Sequence, residues 1–128
     1  MTIKILIADD HPVVRSGLVA LLNSQPDFDV VAEAANGEEA VSKFVTLSPD
    51  VVLMDLQMPG VDGLSAIEKI RAQEPEARII VLTTYDTDAD IMPALKAGAI
   101  GYLLKDAPPE ALFDAIHHSV TLPLREYR

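Results

Sequence analysis

Five short apolar runs recur along this chain, at residues 3–8, 30–34, 51–54, 79–84 and 101–104, and a stretch with helical apolar spacing follows each of them. That alternation predicts a parallel sheet covered by helices on both faces, an α/β architecture. The run Val51-Val52-Leu53-Met54 has adjacent β-branched residues and no polar break, so it reads as a strand buried on both sides. Asp55 ends that run, and Pro59-Gly60 turns the chain away. An acid has little packing value there. In an open parallel sheet, however, the C-terminal strand ends are where ligands bind.

The intervening stretches fit the same plan. Pro12 suits the first turn of a helix that an acid just before it can cap, with Val14, Gly17, Leu18, Leu21 and Leu22 on one face. Glu33 marks the second strand, at 30–34, as an edge. Asn36 and Glu39 form a capping-box pattern ahead of Ala40, Val41 and Phe44, and Ser48-Pro49-Asp50 stops that helix. Asp62-Gly63 leads into a third helix with Leu64, Ile67 and Ile70 inward. Tyr85 to Asp90 is acidic and reads as a loop or helix start. The fourth helix carries Ile91, Met92 and Leu95 but contains Pro93, so it is expected to begin near Pro93 or to be loose before it. Gly98 closes it. Pro108-Pro109-Glu110 opens a last helix with Leu112, Phe113, Ile116 and Val120 as its apolar side, and residues 121–128 read as a tail.

Composition removes several function classes. At 128 residues the chain is one domain with enough length for a core. It has no cysteine, hence no disulfide framework, thiol nucleophile or thiolate metal site. No apolar run spans a bilayer and no signal peptide is visible, so the cytoplasm is the expected location. Twenty acids against ten bases give a net charge of −10, a surface that repels nucleic acid and anionic membrane. Control of a gene would need another domain to touch DNA.

Right-handed crossovers between five such units favour the doubly wound strand order 2-1-3-4-5, which sets the first and third strands side by side. Asp9 and Asp10 then lie next to Asp55. Two like charges about 4 Å apart repel by roughly 4 kcal/mol at an effective dielectric of 20, so three carboxylates together call for a cation or proton. Oxygen-only ligation by few protein groups suits Mg2+. Thr83 and Lys105 end the fourth and fifth strands and are expected to face the same pocket. An acid, a divalent cation, a hydroxyl and a lysine fit a phosphoryl group accepted by a carboxylate. Singly, Asp9 and Asp10 also read as helix caps and Asp55 as a turn acid, while Thr83 is more often a plain strand end and Lys105 a plain surface lysine; their register raises them.

These residues resemble the receiver domain of two-component response regulators, from Ile3 to about Val120. The match comprises Asp9-Asp10, Asp55 within Leu53-Met54-Asp55-Leu56-Gln57-Met58-Pro59-Gly60, Thr83, Tyr102 and Lys105. The resemblance implies the flavodoxin-like receiver fold and a phosphoacceptor, Asp55, served by a sensor histidine kinase, rather than a turnover enzyme. It implies Mg2+, with Mn2+ as the alternative, held by Asp10, Asp55 and the Gln57 backbone carbonyl, with Asp9 acting through water. Thr83 and Lys105 would hold the phosphate, and Tyr102 would change rotamer on activation. Asp10-His11-Pro12 and residues 101–106 resemble the LuxR/NarL/FixJ-type subgroup, which joins its receiver to a helix-turn-helix output domain. The expectation is a receiver at 1–120 with a tail or linker stub at 121–128, the DNA-binding domain absent, and dimerisation on activation. Dimerisation through the first and last helices or through the fourth helix and fifth strand is left open. Many receivers carry proline after the lysine, often with a cis bond; Asp106 stands here, leaving that peptide isomer open.

Other readings of such a sheet fit less well. A flavodoxin-like cofactor binder needs a hydroxyl- and glycine-rich loop where Asp9-Asp10 stand, and a dinucleotide site needs Gly-x-Gly-x-x-Gly there. A phosphohydrolase with an aspartyl nucleophile would have its second acid two residues on. A stand-alone receiver, or an interaction module that takes no phosphate, remains as the alternative.

Overall fold

In the computed structural model, which describes residues 2–58, 60, 62–84 and 88–121, five strands alternate with five helices. They are β1 (Ile3–Ala8), α1 (Pro12–Asn23), β2 (Phe28–Ala34), α2 (Gly37–Leu47), β3 (Val51–Asp55), α3 (Gly63–Gln73), β4 (Ile79–Thr83), α4 (Asp88–Ala97), β5 (Gly101–Leu104) and α5 (Pro109–Thr121). The sheet is parallel in the order β2-β1-β3-β4-β5, the expected doubly wound arrangement. The expected turn at Pro59, the loop residues Tyr85-Asp86-Thr87 and most of the tail, 122–128, lie outside the described residues.

Period-two alternation along the buried strands sorts the core into two layers. Leu6, Ala8, Val52, Met54, Ile79 and Val81 pack with Phe44, Ile67, Ile70 and Ala94 of α2, α3 and α4. Ile5, Ile7, Val51, Leu53, Ile80 and Leu82 pack with Leu22, Leu112 and Ile116 of α1 and α5. Continuing the second row past the strand ends leads to Asp9 after Ile7 and to Asp55 after Leu53. Leu103 of β5 also packs in that layer, which sets Lys105 in the same row.

Local signals place most boundaries. Asn36 Oδ1 accepts from Glu39 N at 2.9 Å, while Glu39 Oε1 accepts from Ala35 N at 2.7 Å, one residue ahead of the N-cap donor used in a standard capping box. Ser48 stops α2 in the left-handed region, at φ 47°. Asp62 Oδ1 caps α3 through Ser65 N at 2.9 Å. β2 begins at Phe28, ahead of the expected start, because Phe28 is buried and pairs with Ile3. Its irregular register opposite Ile5 and Leu6 suits the outer position that Glu33 suggested.

Three expectations need correction. No acid side chain caps α1: its N-cap is His11, which makes no side-chain cap bond, and Asp9 turns back on its own loop. Leu64 is only partly buried, and Ala66 joins Ile67 and Ile70 in the core instead. Helix α4 does not wait for Pro93 but starts at Asp88 and runs through it. Ile91 and Ala94 are buried on either side of the exposed Pro93, so packing holds the helix where its backbone ladder is interrupted. The Lys105–Asp106 peptide is trans.

Because Pro93 contributes a missing donor and little packing, Pro93→Ala should stabilise the domain by about 1–2 kcal/mol. Urea denaturation followed by circular dichroism reads this directly, and an unchanged or lower midpoint would contradict it.

Candidate functional site

The sheet's C-terminal edge is built by three chain reversals. After β1, Asp9 N donates to Ala34 O at 3.0 Å, and Asp9 Oδ1 accepts from His11 N at 2.8 Å, a tight Asx-type turn into α1. One turn into α1, Arg15 Nη1 donates to Asp9 O at 2.6 Å and its Nε to Glu33 Oε1 at 3.1 Å, which ties the acidic loop to α1 and β2. After β3, Gln57 N donates to Asp55 Oδ1 at 3.1 Å. After β5, Lys105 N donates to Thr83 O at 2.8 Å.

Registers bring these ends together. Ala8 is paired with Met54, which sets Asp9 beside Asp55, and Asp55 is itself paired with Leu82, one residue before Thr83. Asp9 is fully buried and Asp55 is 3% exposed. Lys105 Nζ lies 2.9 Å from Asp9 Oδ2 and 3.2 Å from Asp55 Oδ2. Asp9 Oδ2 and Asp55 Oδ2 thus face the Lys105 ammonium as ion-pair partners, and Asp10 Oδ1 lies 3.1 Å from the His11 ring; beyond these contacts the three buried oxygens have no hydrogen-bond partner among the described residues.

Burial acts on both deep acids, with opposite outcomes. Desolvation pushes the Asp9 carboxyl up, but the His11 N–H, Lys105 and the His11 ring together outweigh it and hold Asp9 below the ordinary range. For Asp55, desolvation wins over the Gln57 N–H and Lys105, and Asp9 adds its repulsion, so Asp55 is raised. Burial disfavours the Lys105 ammonium, yet contacts with Asp9 and Asp55 raise its pKa. Asp9 is thus the settled charge and Asp55 the strained one.

Carboxylate oxygens of Asp9, Asp10 and Asp55 and a His11 ring nitrogen all lie within 4.8 Å of one another. Three carboxylates less one ammonium leave two negative charges, matching one divalent cation. Buried carboxylate oxygens and an oxygen-rich donor set fit a hard cation such as Mg2+. A cleft of about 390 Å³ lies away from this chemistry, lined by residues such as Phe44, Pro49, Glu74 and Arg78 toward the opposite end of the sheet.

Of the residues expected from sequence, Asp9, Asp10, Asp55 and Lys105 meet. Thr83 closes β4 beside them, buried, but alternation sets it in the row of Ile79 and Val81 rather than that of Asp55. Gln57 touches Asp55 through its backbone N–H. Tyr102 sits on β5 opposite Val81, 46% exposed. Sequence reasoning missed three participants. Arg15 follows the acid pair by less than two helical turns, the only hint of its reach. His11 was visible beside the acids but had no role. Gly63 N donates to Leu56 O at 3.2 Å, and a Cβ there would stand 2.2 Å from Asp55 O.

This fold and edge define a receiver, and the chain belongs to the response regulator receiver domain family, whose model matches residues 5–117. It is 44% identical over 115 residues to the nitrate/nitrite response regulator protein NarL of Escherichia coli K12, covering 90% of this chain and 53% of that protein. It is 50% identical over 114 residues to the oxygen regulatory protein NreC of Staphylococcus haemolyticus, covering 88% of this chain and 52% of that one. The chain therefore spans about half the length of the curated relatives it matches. Among solved structures, a LuxR-family two-component response regulator from Aurantimonas sp. SI85-9A1 superposes with a TM-score of 0.90 at 39% identity, over 94% of this chain and 86% of that one. The signal receiver domain of the putative response regulator NarL from Mycobacterium tuberculosis gives 0.83 at 33%, over 91% and 97%. No helix among the described residues is long and apolar enough to cross a membrane.

Gly63→Ala should force the Asp55 backbone and α3 apart, at a cost of about 1–3 kcal/mol. Guanidinium unfolding should show the loss, and a variant as stable as the parent would contradict the close approach.

Proposed function

We propose that Asp55 is the phosphoacceptor of this receiver. The observation that carries the reading is Asp55 Oδ2: a buried carboxylate oxygen 3.2 Å from the Lys105 ammonium and in one cluster with two more acids. Asp55 attacks the phosphorus of a kinase phosphohistidine; a P–O bond forms, the P–N bond breaks, and the imidazole leaves with a proton. Asp10, Asp55 and the Gln57 carbonyl, with Asp9 acting through water, would hold Mg2+ or Mn2+, which would supply charge neutralisation at the transferring oxygens. Lys105, now paired with both acids, turns to the acyl phosphate, while Thr83 donates its hydroxyl and Tyr102 changes rotamer.

On this reading the chain is a substrate and timer of phosphorylation in the cytoplasm, not a turnover enzyme. Its phosphorylated form pairs with a second copy and activates a LuxR-type helix-turn-helix domain outside residues 1–128, so DNA contact is made elsewhere in the regulator. Residues 1–120 serve as the receiver and 121–128 as linker.

Incubation with acetyl phosphate and Mg2+ should add one phosphoryl mass to the intact protein, and Asp55→Asn should abolish it. No gain, or an equal gain in the variant, would overturn the assignment. Millimolar Mg2+ should also raise the melting temperature by mass action, and Asp10→Asn should reduce that rise; a flat response would count against the cation site.

A further inference from the structure

Arg15 holds the residues on both sides of Asp10. Its backbone N–H donates to His11 O at 2.9 Å, closing the first turn of α1. Its guanidinium returns toward the sheet, where Nη1 donates to Asp9 O at 2.6 Å. The Asp9 carbonyl shares a rigid peptide plane with the Asp10 N–H, so a hold on that oxygen fixes the plane from which Asp10 departs. We infer that Arg15 is a positioning residue for the phosphoacceptor site: it sets the Asp10 backbone so that this carboxylate stays within 4.8 Å of that of Asp55. The inference rests on the reading that Asp55 takes phosphate with a divalent cation, and it deepens that reading by assigning a residue outside the acid cluster.

The guanidinium is itself held in place. It is 19% exposed, and its Nε donates to Glu33 Oε1 at 3.1 Å. Glu33 is paired with Ile7 in the sheet, and its carbonyl accepts from Lys43 Nζ of α2. The next carbonyl, Ala34 O, accepts from Asp9 N at 3.0 Å. Asp9 is thus fastened through its N–H to β2 and through its carbonyl to α1. A planar fork donates to the Asp9 carbonyl and the Glu33 carboxylate at once, whereas a lysine ammonium is a point charge on a flexible stem.

Fastening α1 to the sheet does not by itself require this contact. Leu22 is fully buried, with Leu18 and Leu21 packed against the same layer. The added effect of Arg15 falls on Asp10, whose side chain is 30% exposed and has room to turn toward water. Without the guanidinium, gathering the carboxylates becomes part of the work of filling the site. That cost raises the Mg2+ concentration the site needs, and it leaves the rate of the filled site nearly unchanged.

Phosphorylation by acetyl phosphate, followed by intact mass across a Mg2+ series, tests the assignment. Arg15→Ala should raise the half-maximal Mg2+ concentration about tenfold while the rate at saturating Mg2+ stays within about twofold of the parent. Arg15→Lys, which keeps the charge and one contact, should lie between the two. Glu33→Ala should shift the midpoint in the same direction by less, and should add little to Arg15→Ala, because both act through one guanidinium. The rise of melting temperature with Mg2+ should follow the same order, and it reads the site without phosphate. A parent-like Mg2+ midpoint in both Arg15 variants, whatever their stability, would mark Arg15 as a purely structural tie and overturn the inference, leaving the phosphoacceptor reading intact. A parent chain with neither phosphoryl gain nor Mg2+ response would overturn both.

Discussion

One ammonium separates two buried carboxylates that arrive on adjoining strands. Lys105 Nζ stands 2.9 Å from Asp9 and 3.2 Å from Asp55, and without it two like charges about 4 Å apart would repel by roughly 4 kcal/mol at an effective dielectric of 20. The lysine follows β5, while the acids come from β1 and β3, so the ion pair exists only if β3, β4 and β5 stand side by side in that order. The strand order, the β4–β5 register and the Lys105 N to Thr83 O bond are the scaffolding of this contact.

The same contact distributes unevenly. Asp9 accepts from the His11 backbone and ring besides facing Lys105, and its charge is secured. Asp55 has one backbone donor and a longer approach to the lysine, so desolvation prevails there. Two carboxylates of equal depth thus differ in how well their negative charge is met. Under the phosphoacceptor reading, the poorly met one is the one that gains most from new electrophilic company, whether a cation or a phosphoryl group.

Much of this arrangement was legible in the residues. Apolar runs with adjacent β-branched residues, such as Val51-Val52, mark strands buried on both faces, and alternation with helical spacing leads to the strand order and hence to the meeting of Asp9, Asp10 and Asp55. What stayed hidden depends on three-dimensional closeness that no periodicity encodes. Gly63 looks like an ordinary helix-start glycine until the Asp55 carbonyl is found where its Cβ would be. Arg15 looks like a surface residue of α1, yet it reaches back to Asp9 O. Pro93 differs for the opposite reason: local propensity argues for a fourth helix that begins near Pro93 or is loose before it, whereas α4 starts at Asp88, with Ile91 and Ala94 buried on either side of the proline.

The partition of the core by the sheet has a further consequence. By alternation along the strands, Asp9, Asp55 and Lys105 continue the rows whose apolar members pack against α1 and α5, whereas Thr83 continues the row whose apolar members pack against α2, α3 and α4. The molecule is in effect two packed halves sharing one wall, and they converge only where the wall ends. Repacking near Leu22 or Ile116 reaches the charged trio through its own layer, and repacking near Ile70 or Ala94 reaches the hydroxyl through the other. Separated by a sheet and sharing few direct partners, such changes should combine nearly additively.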